Sequence, residues 1–170
     1  MKKNIVMIMS VLMLIIALCG CGGGASSPED AAENFATAAL EVDLEAMIEC
    51  MPPQISENFL EGIESGKIDI SGKEREFIGQ VPDEFECEIK RKVKMDTEEI
   101  EKYEERLMKD AEEIAEIVEV DFVDSELVIE EAYYVEYELT GDGDVDKEEL
   151  PVGKIDGRWY VLTTDFDDAF

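Results

Sequence analysis

The sequence predicts an α+β fold, with helices first and an antiparallel sheet last, and three observations carry that expectation. Up to Gly66 the apolar residues recur at spacings of three and four, the period of a helix with one buried face. After Val120 the period drops to two. Near the end, Asp156-Gly157 stands between two apolar runs, Leu150 to Ile155 and Trp159 to Thr164, which is a strong short-range signal for a β-hairpin.

The N-terminus precedes the folded body. Lys2 and Lys3 form a short basic region, and Ile5 to Leu18 is an apolar run of fourteen residues broken only by Ser10. Spanning a bilayer takes about 20 residues, so this run fits the core of a secretory signal peptide better than a transmembrane helix. It closes on Leu18-Cys19-Gly20-Cys21, which resembles the lipobox of bacterial lipoproteins. The resemblance implies cleavage between Gly20 and Cys21, a diacylglyceryl thioether on Cys21, and an address on the extracytoplasmic face of a bacterial membrane. Attachment at Cys19 would place bulky Leu18 where a small residue is needed. Residues 1–20 are thus expected to be signal peptide, 21–27 a lipidated cysteine with a Gly- and Ser-rich tether, and 28–170 one folded domain.

Ser27 before Pro28, Glu29 and Asp30 opens the first helix: a good N-cap, proline at the first position, and acids at the positive end of the dipole. Asp43 opens a second, with Leu44, Met47, Ile48 and Met51 on one side, stopped by Pro52-Pro53. A third piece from Gln54 to Glu64 ends at Gly66. Phe85 to Met95 alternates as a strand with Phe85, Cys87, Ile89, Val93 and Met95 on one face. Asp96 and Glu99 form a capping box for a helix carrying Ile100, Tyr103, Leu107, Ala111, Ile114 and Val118, with glutamates opposite. Val120 to Val123, Leu127 to Ile129 and the alternating stretch around Tyr133, Val135, Tyr137 and Leu139 read as extended, followed by a turn at Gly141 to Asp144.

Charge excludes some functions. The chain has 44 Asp plus Glu against 15 Lys plus Arg, and loss of Lys2 and Lys3 with the leader takes the bases to 13. Such a surface repels a phosphate backbone, so nucleic acid is not an expected partner. There is no histidine, which removes Ser-His and Cys-His nucleophile pairs and His-containing zinc sites. Asp142-Gly143-Asp144-Val145-Asp146 begins like a calcium loop but has Lys147 and Gly153 where glycine and glutamate are needed. No metal or cofactor is expected.

The opening Ser27-Pro28-Glu29-Asp30-Ala31-Ala32-Glu33-Asn34-Phe35, with Asp43-Leu44-Glu45, and the close Ile155-Asp156-Gly157-Arg158-Trp159-Tyr160-Val161-Leu162 together resemble the cone-shaped, nuclear transport factor 2-like domains of small bacterial lipoproteins. The resemblance covers both ends of the body and not its middle. It implies a curved antiparallel sheet wrapped round helices, often with an apolar pocket, on a fold that serves binding modules, dimers and isomerase- or cyclase-type enzymes alike. No carboxylate stands out as a catalytic base. The expected role is therefore non-catalytic, binding a small molecule, an envelope protein or a second copy of the chain, with the enzyme as the alternative.

Two further expectations concern particular side chains. Arg91 shares the phase of Cys87 and Ile89, and Glu131 that of Tyr133 and Val135, so an inward Arg91–Glu131 pair beside Tyr133 and Tyr137 would mark a pocket; the other reading sends Arg91 to solvent. Cys50 and Cys87 are the thiols left in the body, where they stand either as a disulfide or as two small buried groups.

Overall fold

Three of the expected helix starts form through the side chains that announce them. In a computed structural model, which describes residues 24–69, 85–120, 127–141 and 144–164, the Ser27 side chain accepts from the Asp30 amide at 3.0 Å. It caps helix α1, Pro28–Leu40. Asp43 does the same for α2, Leu44–Glu49, accepting from Ala46. Helix α3, Pro53–Glu64, starts on Pro53 with no side-chain cap, since the N-cap residue Pro52 has no acceptor side chain. Strand β1 is Phe85–Lys94. The capping box of Asp96 and Glu99 opens α4, Thr97–Val118, which ends at Glu119 in the left-handed conformation.

The remaining strands are β2 (Glu131–Gly141), β3 (Asp144–Ile155) and β4 (Arg158–Val161). The order β1-β2-β3-β4, with every neighbour antiparallel, is a simple meander. Asp156 (φ 51°) and Gly157 (φ 77°) are both left-handed, as a two-residue turn matching the twist of its strands requires. Strand β3 begins six residues before Leu150, because the charged stretch Asp144 to Glu149 pairs fully with β2. Leu127 to Ile129 is irregular rather than a strand, although Leu127 and Ile129 are buried. Asp121 to Val123 lie outside the described residues.

Alternation along the strands divides the core in two. Val135, Tyr137, Leu150, Val152, Trp159 and Val161 pack on one face against Phe35, Leu44 and Met47 of α1 and α2. Ala132, Ile155, Tyr160 and Leu162 belong to the other side, with Met51, Ile55, Met95, Leu107, Ala111 and Ile114. Here α3 and α4 pack on each other and cover part of the second face. A Cβ on Gly153 would lie 2.8 and 2.9 Å from the Leu162 methyls and 3.1 Å from Ile129, so the close packing on this side requires glycine.

Ala25, expected to lie in a free tether, is instead paired with the sheet. The Ala25 amide donates to Trp159 O at 2.7 Å and the Trp159 amide to Ala25 O at 3.1 Å, so the chain is fastened to β4 from Ala25 onward. Gly24 precedes it with φ 90°, against Tyr160 and the Arg158 side chain.

Helix α4 offers a test of the second core. Leu107 is fully buried while Ile117, on the same helix, is 59% exposed. Leu107→Ala should cost about 2–5 kcal/mol of unfolding free energy and Ile117→Ala no more than about 0.5. Denaturant titration of both variants measures this, and equal losses would contradict the packing of α4.

Candidate functional site

The pocket expected around Arg91, Glu131, Tyr133 and Tyr137 does not assemble. A β-bulge between Ile89 and Arg91 explains why: Ile89 lies opposite Tyr137, but Arg91 lies opposite Glu136, so Lys90 is an extra residue and the phase of β1 reverses beyond it. Arg91 therefore leaves the face of Cys87 and Ile89 and pairs with Glu136, its side chain 64% exposed. Val93 turns outward with it and is 43% exposed. Lys92 and Lys94 take the inward phase, opposite Val135 and Tyr133.

These lysines build a small cluster at the rim of the first core. Lys92 reaches Glu29 in the first turn of α1 at 2.7 Å and lies 5.2 Å from the Tyr133 ring centre. Lys94 reaches Glu131 at 2.8 Å, and the Tyr133 hydroxyl donates to the same carboxylate at 2.7 Å. The Tyr133 ring rests against Trp159 with centres 5.7 Å apart. Glu131 is held below the usual carboxylate range by Lys94 first and Tyr133 second. Glu131 and Tyr133 are thus neighbours, whereas Tyr137 sits apart in the first core, its phenol pushed up by burial.

Cys50 and Cys87 are free thiols, not a disulfide, although both pack against the first core. Burial pushes Cys50 up to about 12, and burial raises the less enclosed Cys87 as well. A thiol kept protonated is a poor nucleophile and behaves as a small apolar group. The lipobox residues Gly20 and Cys21 lie outside the described residues, as do Asp142 and Gly143 of the polar turn.

A concavity that the sequence reading did not assemble lies between α4 and the second face of the sheet. This cleft of about 200 Å³ is lined by Tyr103 and Arg106 from α4, Tyr134, Glu149, Leu150 and Pro151 from the sheet, and Thr163 beyond β4. Tyr103 and Tyr134 meet edge to face at 6.3 Å. Arg106 lies over the Tyr103 ring at 4.5 Å and donates to Leu162 O at 2.7 Å. Burial, then the Tyr103 hydroxyl, raises the Tyr134 phenol, keeping it a neutral donor. The signal was present in part, since Tyr103 and Arg106 are one helical turn apart, but the strands they face are far away in sequence. A second, more open hollow of about 350 Å³ runs along Lys90, Tyr137, Glu138, Lys147 and Glu148, where Glu138 bridges Lys90 and Lys147. Among the described residues no group of His, Cys, Asp and Glu is arranged to hold a metal ion. Comparison of the chain with protein families, curated proteins and solved structures gives no match.

Two measurements test this geometry. The Lys92 hydrogen bond is the main cause that lowers Glu29, so the pair's contribution is complete above the ordinary carboxylate range and is lost as pH falls through the lowered folded value. With both side chains partly exposed, it amounts to at most about 1 kcal/mol. Lys92→Met should remove it, and the stability gap between the parent and this variant should close on acidification. A gap unchanged down to strongly acid pH would mean that the pair does not form. Separately, the chain from Gly22 onward, unfolded and unreduced, should titrate two thiols, and in the native state Cys87 should be alkylated before Cys50.

Proposed function

We propose that the protein is a lipoprotein held by acylated Cys21 on the extracytoplasmic face of a bacterial membrane, and that its α+β body is a small cone-like domain acting as a non-catalytic binding module. The anchor rests on the Leu18-Cys19-Gly20-Cys21 sequence after an apolar run of signal-peptide length. No described helix is long and apolar enough to cross a membrane.

The observation that carries the non-catalytic part is the distribution of polar groups. An isomerase or cyclase of this fold needs a carboxylate set in an apolar cavity with a donor beside it. Here Phe35, Met47, Val135, Val152 and Val161 fill the space between α1, α2 and the sheet. Among the described residues no Asp or Glu side chain is buried. The concavities lie on the outside, where groups are presented to a partner rather than sealed round a reacting atom.

The anchor is tested directly. Cys21→Ala should accumulate as unprocessed or released chain, take up no labelled fatty acid, and move to the aqueous phase on detergent partitioning. A variant that still incorporates lipid and partitions with detergent would overturn the reading.

A further inference from the structure

Arg106 is unusual for a cation in so acidic a chain. Each of the eight described lysines has a carboxylate within salt-bridge distance, and so does Arg91. Among the described residues, the structure gives Arg106 no such partner. Its guanidinium is placed instead by the Leu162 carbonyl and the face of Tyr103, and the residue lines the cleft. Arg158 also donates to a backbone carbonyl, that of Gly24, but lines neither of the two concavities. A guanidinium carries five N–H donors in a planar fork that matches a carboxylate, and among the described residues one of them is given an acceptor. Pro151 and Tyr134 line the cleft beside it.

From this geometry we propose that the cleft is a recognition site for a compact organic acid, its carboxylate on Arg106 and its planar or apolar body against Tyr103, Tyr134 and Pro151. This deepens the binding reading above and rests on it. Size sets the class: drug-sized ligands occupy about 300–1,000 Å³, so the cleft of about 200 Å³ takes a single ring or a short side chain. Charge narrows it further. Glu149 lines the same cleft and the chain carries a formal charge of -29, so a singly charged carboxylate is tolerated where a doubly charged phosphate is repelled. The same chemistry is offered by a free acid and by the C-terminal end of a peptide.

The test is a titration of the full chain in non-ionic detergent, followed by NMR of the Arg106 side chain and the tyrosine rings. Sodium benzoate should shift Arg106, Tyr103 and Tyr134 together, with benzylamine and inorganic phosphate leaving them in place. Arg106→Ala should weaken benzoate about tenfold or more, because a charge-assisted pair is lost. Should that variant fail to fold, Arg106→Lys keeps the charge without the fork and should still weaken binding. A short peptide ending in phenylalanine, compared with its C-terminal amide, separates the sources: binding of the acid form alone, with benzoate silent, assigns a chain terminus. No response to either acid, an equal response to phosphate, or a response to benzylamine instead would overturn the site while leaving the anchored module in place. Benzoate should be recovered unchanged; its conversion would overturn the non-catalytic reading and leave the site standing.

Discussion

Two apolar clusters press on opposite faces of one four-stranded sheet, and where both do so they constrain the residue choice in the strands. A sheet with one wet face can place polar groups at every second position, but a sheet covered on both sides cannot. Strand β4 shows the constraint most plainly: Trp159 and Val161 enter the first cluster, while Tyr160 between them enters the second. Strand β2 carries Val135 to one side and Ala132 to the other, the small residue lying where α4 closes over the sheet. Gly153 has no side chain because Leu162 occupies that space. The helices supply the amphipathic faces that complete both clusters.

The acidic surplus is arranged around this core rather than within it. Carboxylates of β2 draw the cations of β1 into cross-strand pairs, Lys90 with Glu138, Arg91 with Glu136 and Lys94 with Glu131. These partners sit on both sides of the sheet because the bulge at Lys90 changes the phase of the strand. A bulged edge strand carrying lysines is also poorly suited to pairing with a further strand, and β1 is the edge of this sheet. The basic run Lys90 to Lys94, which resembles a binding patch in the linear sequence, is thus neutralised by its own chain and serves register and edge protection.

Local features were the readable ones. Ser27, Asp43 and the Asp96–Glu99 box announce their helices because a cap acts within three residues of itself, and Asp156-Gly157 announces its turn for the same reason. Alternation in β1 was legible up to Ile89 and misleading afterwards. A bulge is a property of pairing with β2, some 45 residues away, and leaves no mark on the strand itself. The first half of β3 carries no strand signal, because Asp144 to Glu149 is nearly all charged, yet its backbone completes the ladder with β2. The cleft was hidden for a similar reason. Tyr103 has the spacing of a core residue, and only the folded chain shows that it supports Arg106 and faces Tyr134.

The bridge between Ala25 and Trp159 shortens the leash on which the proposed anchor would hold the body. Cys21 precedes Ala25 by four residues, and extended chain covers at most about 3.6 Å per residue, so the pivot lies no more than about 14 Å from the lipidated sulfur's own backbone. A domain on so short a leash cannot wander over the surface as a tethered ball would. Under the proposed anchoring it would tilt and spin about this pivot, with the β4 edge kept toward the bilayer, while repulsion between its acids and anionic head groups would pull the leash taut. Encounters would then be confined to two dimensions and to one orientation, so that partners embedded in the same membrane meet a single, repeatable aspect of the molecule.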